Sequence, residues 1–209
     1  IMERLVGSEM CIRDRADNEA LAVVDEWIES SEHHLMVTHL GGTDHAAHIY
    51  GLESPIYKER MQELDGQLES IFRNAPENWT VLLTADHGLT KYGGHALGTG
   101  AVAEEVYLFA HGQGIRTPTT LIEPMEQRDI AMLLSALLKV DLPITSDARI
   151  PIDALDVDVE QQALLEEWNW RNALAHNELV ENESGTGLDG LTDDPAWELY
   201  KNEAWMRDP

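Results

Sequence analysis

The chain has 209 residues, of which 43% are hydrophobic and 25% are charged, a composition typical of one globular domain. It carries 14 Lys and Arg against 39 Asp and Glu, and the resulting net charge of −25 at pH 7 would repel a nucleic acid, so nucleic-acid binding is excluded as an expected function. No stretch approaches the run of about 20 apolar residues that a membrane helix needs. We therefore expect contact with a membrane only through segments that are not present in this chain.

Residues 1–15 are predicted to lie outside the folded domain. Their sequence, IMERLVGSEMCIRDR, has mixed charge and no sustained hydrophobic period. The part GSEMCIRDR resembles a translated sequencing adaptor, and the alternative is a disordered N-terminal arm. We expect native sequence to begin near Ala16 and the domain to be incomplete on its N-terminal side.

Helices and strands are predicted to alternate through residues 16–155. Apolar residues at helical spacing predict helices at Asn18–Glu29, Pro55–Phe72 and Gln127–Lys139. Short, mostly apolar runs predict strands at Leu35–Leu40, Trp79–Ala85 and Val106–Ala110. This alternation indicates an α/β fold with a mostly parallel sheet flanked by helices.

Residues 156–209 are predicted to form an acidic C-terminal extension. The segment 151–209 contains 15 acidic and 3 basic residues, and a Gly/Ser/Thr/Asp-rich break lies around Ser184–Asp194. Val159–Leu179 has the composition of an acidic helix, whereas Trp197, Tyr200 and Trp205 stand in a polar tail. These aromatic residues argue against complete disorder of the tail.

Aspartate and histidine residues follow the first predicted strand. Asp44 and His48 are four residues apart, so one helical turn places a carboxylate and an imidazole on the same side, within reach of one ion. His95 follows a Gly-Gly pair further along the chain and is the candidate for a third ligand. A single DxxxH pattern is weak evidence, because Asp and His near a helix start often cap or solvate it.

A second pair, Asp86 and His87, follows the strand Trp79–Ala85. In open α/β sheets ligands collect outside the carboxyl ends of the strands, so both groups of residues are expected at the same edge. At a strand-to-loop turn these two adjacent side chains can converge on a second ion. The combination of both groups in this order predicts a metal centre, with carboxylate and imidazole ligands that suit zinc or manganese.

These motifs resemble those of the alkaline phosphatase superfamily, specifically its type I phosphodiesterase/nucleotide pyrophosphatase branch and the related glycosylphosphatidylinositol (GPI) ethanolamine phosphate transferases. The resemblance covers about Val37–Leu155. It is carried by the segments MVTHLGGTDHAAH, LDGQLESIF, LLTADHGLTKYGGH and QRDIAMLLSALLKVDLPITSDARIPIDAL. The resemblance implies an alkaline-phosphatase-like fold and identifies residues 16–155 as the C-terminal part of a metal-dependent catalytic domain.

The resemblance also implies roles for the site residues. Asp44, His48 and His95 would hold one zinc ion, with manganese as the alternative metal. Asp86 and His87 would hold a second ion together with an upstream aspartate and a Ser/Thr nucleophile. That nucleophile and the aspartate are expected upstream of Asp44, and only about 28 residues separate Arg15 from Asp44, so neither is expected in this chain. Four threonines in the matched segments occupy positions that the family does not use for the nucleophile: Thr38, Thr43, Thr84 and Thr90.

The expected function is metal-dependent phosphoryl transfer on a phosphodiester, either hydrolysis or phosphoethanolamine transfer. The expected substrate is a small phosphodiester or a phospholipid or glycolipid, and the chain by itself is expected to be inactive. The alternatives are a phosphomonoesterase or a sulfatase of the same superfamily, or a catalytically inactive metal-binding module. By family analogy the protein is expected on the extracytoplasmic or ER-lumenal face of a membrane.

Overall fold

The structure is a computed structural model that describes residues 13–30, 33–95, 105–117, 124–143 and 146–182. In chain order these residues form helix α1 (Arg13–Ser30), helix α2 (Gly42–Tyr50), helix α3 (Pro55–Asn74), strand β1 (Thr80–Thr84), strand β2 (Leu108–Gly112), helix α4 (Asp129–Leu138), a 3₁₀ turn (Ile152–Ala154) and helix α5 (Val159–Asn182). The chain divides into two compact units, Ile1–Ala110 and His111–Pro209.

The three helices of the first unit pack against one another. Leu21 and Val24 of α1 and Ala46 and Ala47 of α2 are buried, and α2 contacts both α1 and α3. The small side chains of α2 allow this close packing, so a short helix of 9 residues is held on two sides. Patterns in the sequence predict no separate helix or strand at residues 42–50, where the structure forms α2.

Helix α3 begins where its sequence predicts. The chain enters through Ser54, whose Oγ accepts a hydrogen bond from the Tyr57 backbone N–H at 3.1 Å, and Pro55 occupies the first helical position. The predicted helices Asn18–Glu29 and Pro55–Phe72 are both confirmed, and each is longer in the structure by a few residues at one or both ends.

The strand predicted at Leu35–Leu40 is wrong. These residues have no regular secondary structure, and the side chains of Leu35 and Val37 are 50% and 61% exposed. A strand needs a neighbour that accepts and donates its backbone hydrogen bonds, and no strand in the described part of the chain pairs with this run.

The other two predicted strands are confirmed with altered bounds. The prediction Trp79–Ala85 corresponds to β1, and Val106–Ala110 corresponds to β2, which lies two residues further along. The two strands pair in a two-stranded sheet. The described residues therefore show helices with a small sheet, and the mostly parallel sheet stays a prediction.

The second unit has its own apolar core. Its fully buried side chains come from α4, from the segment that follows it, and from α5: Met132, Leu133, Ile150, Leu155 and Leu165. Asn169 and Asn172 of α5 hydrogen-bond the backbone of residues 146–150, which ties that segment to the helix. The helices predicted at Gln127–Lys139 and Val159–Leu179 are thus confirmed as α4 and α5.

Several predictions concern residues outside the described ranges. They concern residues 1–12, the break around Ser184–Asp194, and the aromatic residues of the tail. Helix α1 begins at Arg13, so the last three residues of the segment 1–15 are helical. The domain bounds at residues 15 and 155 stay predictions.

Candidate metal centre

Helix α2 brings Asp44 and His48 together. Asp44 lies in its first turn and His48 in its last, and Asp44 Oδ1 is 3.4 Å from His48 Nε2. The i, i+4 spacing places both side chains on one face of the helix. The proximity of Asp44 and His48 needs no contact with another element, because the helix geometry alone produces it.

His95 approaches the same carboxylate from the loop after β1. Its Nε2 is 3.9 Å from Asp44 Oδ1, and its ring lies edge-on to the His48 ring with the centroids 4.9 Å apart. One ligand atom from each of the three residues lies within 4.8 Å of the others, the only such group among the described residues. The structure therefore unites the three residues that the sequence named for the first ion.

A tight turn delivers His95 to this position. The Thr90 backbone N–H donates to the Gly94 carbonyl at 2.9 Å, and the Gly94 N–H donates to Thr90 Oγ1 at 3.1 Å. Gly93 has φ +81° and lies directly against α2, where an added Cβ would be 2.0 Å from the Ala47 carbonyl oxygen. Only glycine permits both this backbone conformation and this close approach.

The chemistry of the three side chains fits a divalent cation. Asp44 Oδ1 is buried and accepts no hydrogen bond, and two imidazole nitrogens lie near it. Two donors that share a tetrahedral zinc at about 2.1 Å are about 3.4 Å apart, close to the separations seen here. A cation would satisfy the buried oxygen, which otherwise bears the cost of an unmade polar interaction.

Asp86 and His87 lie just after β1, next to this group. The His87 ring stacks on the His95 ring with centroids 3.6 Å apart and planes 13° apart. His87 Nε2 is 3.6 Å from Asp86 Oδ2, and the Asp86 side chain is 70% exposed. This second pair thus adjoins the first three residues through a ring contact.

A hydrogen bond orients the His87 ring. Its Nδ1 is 3.2 Å from the Gly88 carbonyl oxygen, which can only accept, so the contact favours the tautomer that carries its proton on Nδ1. The Nε2 atom then carries the lone pair and lies 3.6 Å from Asp86 Oδ2. Two electron-rich atoms so arranged are suited to hold a cation between them.

Three further histidines of the first unit lie outside the group of candidate ligands. His33 packs edge-on against Trp27 with ring centroids 5.4 Å apart, and His34 and His39 are exposed. Thr90, one of the four threonines in the matched segments, holds the turn that carries His95.

A hollow of about 440 Å³ opens beside the three ligand residues and shares His48 as a wall. Tyr50, Glu53, Lys91 and Tyr92 also line it, and the Lys91 ammonium lies 4.8 Å from the centre of the Tyr92 ring. The hollow beside these candidate ligands thus offers an ammonium, the Glu53 carboxylate and two phenol rings, that is, charges of both signs and flat apolar faces, to a bound molecule.

Sequence patterns missed a buried ion pair beneath α2. Asp17 and Arg60 are 3% and 6% exposed, and the Arg60 Nη2 donates to Asp17 Oδ2 at 2.8 Å. Asp17 lies within a polar stretch of α1 and Arg60 within the charged part of α3, so neither stands out by periodicity. No local signal in the sequence identifies them as partners.

Comparison with protein families assigns the chain to a class of protein. The sequence profile of the type I phosphodiesterase/nucleotide pyrophosphatase family matches residues 8–202, and the chain belongs to this family. The resemblance seen in the motifs is thereby confirmed. No solved structure shows significant similarity to the chain.

Within the proteins compared, the chain is similar in sequence to several GPI ethanolamine phosphate transferases. GPI ethanolamine phosphate transferase 1 of Schizosaccharomyces pombe is 29% identical over 151 residues, covering 60% of this chain and 16% of the relative. The human GPI ethanolamine phosphate transferase 2, catalytic subunit, is 25% identical over 141 residues, covering 63% and 14%. GPI ethanolamine phosphate transferase 1 of Yarrowia lipolytica is 28% identical over 174 residues, covering 71% and 18%.

The chain thus spans less than a fifth of the length of each of these relatives. Among the residues that the structure describes, no helix has the length and apolar character needed to cross a membrane.

Proposed function

We propose that this chain supplies metal ligands to a phosphoryl-transfer centre that acts on phosphodiesters. The observation that carries the proposal is the buried Asp44 Oδ1, which lacks a hydrogen bond and lies 3.4 and 3.9 Å from two imidazole nitrogens. Family membership supports phosphoryl transfer as the chemistry. We further propose the alkaline-phosphatase-like arrangement of a mostly parallel sheet flanked by helices for the whole catalytic domain, of which residues 16–155 form the C-terminal part.

The five candidate ligands divide into two groups. Asp44, His48 and His95 would be all the protein ligands of one ion, with zinc favoured and manganese as the alternative. Asp86 and His87 would supply two ligands of a second ion, and an upstream aspartate and the Ser/Thr nucleophile would complete it. The stacking of His87 on His95 supports this neighbourhood of the two groups.

Bound divalent ions supply positive charge that neutralises phosphate oxygens in the transition state and makes an attacking hydroxyl more acidic. The chain's own residues hold and orient the ligands, as the Gly88 carbonyl does for the His87 ring. Local positive charge is important here, because a net charge of −25 otherwise repels a phosphodiester. Lys91 adds such a charge at the hollow beside His48, and the hollow has space for a substituent of the phosphodiester.

The proposed phosphoryl transfer can be either transfer of phosphoethanolamine to an acceptor or hydrolysis. The names of the relatives favour phosphoethanolamine transfer to a glycolipid over hydrolysis. By family analogy we propose a location on the ER-lumenal or another extracytoplasmic face of a membrane. Phosphomonoester or sulfate ester hydrolysis within the same superfamily are the alternatives. A metal-binding module without catalysis is the alternative from another class, and a closed coordination shell would distinguish it.

Phosphorus NMR of diethyl phosphate in the presence of the Mn²⁺-loaded chain tests the proposal. We expect the bound ion to enhance the ³¹P relaxation of the diester, because three protein ligands leave coordination positions open. Asp44→Ala should reduce the enhancement to that of free Mn²⁺, while Asp25→Ala, an exposed aspartate of α1, should retain it. Bound Mn²⁺ without any enhancement would favour the inactive module, and equal enhancement in Asp44→Ala would overturn the ligand assignment.

Turnover is a separate measurement. We expect the purified 209-residue chain not to hydrolyse a chromogenic phosphodiester above background, since the nucleophile is expected upstream. Reproducible turnover that Asp44→Ala abolishes would overturn this part of the proposal and place the nucleophile within the chain.

A further inference from the structure

A buried ion pair lies directly beneath the start of α2. Asp17 Oδ1 accepts the Gly41 backbone N–H at 3.1 Å, and Asp17 Oδ2 accepts the Gly42 N–H at 2.9 Å. The same Oδ2 accepts from Arg60 Nη2 at 2.8 Å. One carboxylate of α1 therefore binds the first turn of α2 and a guanidinium of α3 at the same time.

Asp17 caps the N-terminus of α2, a role that no neighbouring side chain in the sequence fills. The first backbone N–H groups of a helix have no partner within the helix, and a capping side chain usually accepts from them. The residue before α2 is Gly41, which has no side chain to accept, so the acceptor comes from 24 and 25 residues upstream. A negative charge at this end also interacts favourably with the helix dipole.

The fit around the pair is close. A Cβ added at Gly42 would lie 2.4 Å from Asp17 Oδ2 and 3.0 Å from Arg60 Nε. Glycine at this position lets the helix start touch the ion pair. The position of Gly42 relative to α1 and α3 is therefore fixed by hydrogen bonds and by contact.

We propose that Asp17 and Arg60 are positioning residues of the metal centre. Asp44 lies two residues beyond Gly42, and a short helix moves as one body, so a shift of its first turn carries both Asp44 and His48 relative to His95. The distance from a metal ion to each ligand atom stays within about 0.2 Å of its usual value in a well-formed site. The metal part of this inference rests on the proposed function, whereas the orientation of α2 does not.

A purely structural role is the competing explanation. Buried ion pairs often add little net stability compared with well-packed apolar side chains, and in some proteins they specify one arrangement instead. The two roles differ in what the variants change. Loss of a structural pair lowers the stability of the whole chain, whereas loss of a positioning pair moves the two imidazoles while the helices persist.

The test uses NMR of the metal-free chain together with zinc affinity. In the wild type the rings of His48 and His95 are near enough for a nuclear Overhauser cross-peak. We expect Asp17→Asn to remove this cross-peak and to weaken zinc binding about 10–100-fold, the range found for residues that orient metal ligands. Arg60→Lys keeps the charge but not the forked geometry and should give a smaller loss of both.

Two matched variants serve as controls. Asp25→Asn removes an exposed carboxylate of α1, and Glu63→Gln removes the exposed second partner of Arg60, 3.0 Å from its Nη1. Both should keep the cross-peak and the zinc affinity. Circular dichroism at the same temperature establishes that each variant is folded.

The outcomes separate the two proposals. A folded Asp17→Asn variant with the wild-type cross-peak and affinity would overturn the positioning role, as would unfolding of both Asp17→Asn and Arg60→Lys. A wild type that shows the cross-peak but binds no zinc would contradict the proposed function. In that case the loss of the cross-peak in the variants still establishes the positioning role by itself.

Discussion

Replacing Gly93 by alanine should disrupt the candidate metal centre without changing any of its candidate ligands. Gly93 has φ +81°, a conformation that costs an L-residue about 1–2 kcal/mol. The new Cβ would lie 2.0 Å from the Ala47 carbonyl oxygen and 2.9 Å from the backbone nitrogen of His48. Backbone atoms of a packed helix cannot rotate away, so either the turn or the helix must move.

The size of that movement follows from the structure. An ordinary contact is about 3.4 Å, so the turn must retreat by about 1.4 Å from α2. The distance from His95 Nε2 to Asp44 Oδ1, now 3.9 Å, would grow to as much as about 5.3 Å. Two donors at about 2.1 Å from one zinc ion are never more than about 4.2 Å apart, so His95 would leave the site.

The assay is zinc affinity by competition with a chromogenic chelator, together with urea denaturation. We expect Gly93→Ala to lose at least about 100-fold in affinity, the upper end of the loss for residues that only orient ligands. If the turn does not retreat, overpacking and backbone strain together lower the free energy of unfolding by about 2–5 kcal/mol.

Gly66 provides the matched control. It lies in α3 with nothing within 4 Å of an added Cβ, so Gly66→Ala should leave zinc affinity unchanged and raise the free energy of unfolding by about 0.5–1 kcal/mol. Wild-type affinity and stability in Gly93→Ala would mean that the turn does not pack against α2 as the structure shows.

Three further variants test the fold. Ser54→Ala removes the acceptor for the Tyr57 N–H and should lower the free energy of unfolding by about 1 kcal/mol in urea denaturation; no change would mean that the cap is not formed in solution. Burial raises the pKa of Tyr57, so its neutral form is favoured in the folded chain, and this contribution to stability is present below the ordinary pKa of about 10 and is lost as the pH rises above it. Tyr57→Phe should therefore reduce the fall in the urea midpoint between about pH 9 and pH 11, and an unaltered fall would contradict the assignment to Tyr57. Leu133→Ala in the second unit should cost about 2–5 kcal/mol, because the side chain is fully buried; a loss below about 1 kcal/mol would mean that the core repacks around it.

Local patterns in the sequence predicted the helices well and one strand poorly. The apolar spacing in α3 and α4 is a property of each helix alone, so it identifies them without knowledge of their partners. The run Leu35–Leu40 is mostly apolar, but a strand exists only where another strand pairs with it. Its exposed Leu35 and Val37 show that composition alone did not specify that partner.

The candidate site divides in the same way. The four-residue spacing of Asp44 and His48 is local, so helix geometry brings them together as the sequence suggested. The hydrogen bond between Asp17 and Arg60 joins residues 43 positions apart, and the contact of Gly93 with Ala47 joins two different elements. No periodicity marks such pairs, which is why only the structure revealed them.

The zinc content of the protein shows whether Asp44, His48 and His95 bind a metal ion. It is measured by mass spectrometry on the 209-residue chain purified without chelators, for the wild type, Asp44→Ala and His87→Ala. Our prediction is about one zinc per wild-type chain, lost in Asp44→Ala and retained in His87→Ala, because three protein ligands can hold the first ion without the second pair. Zinc that persists in Asp44→Ala, or a wild type that binds none, would contradict it.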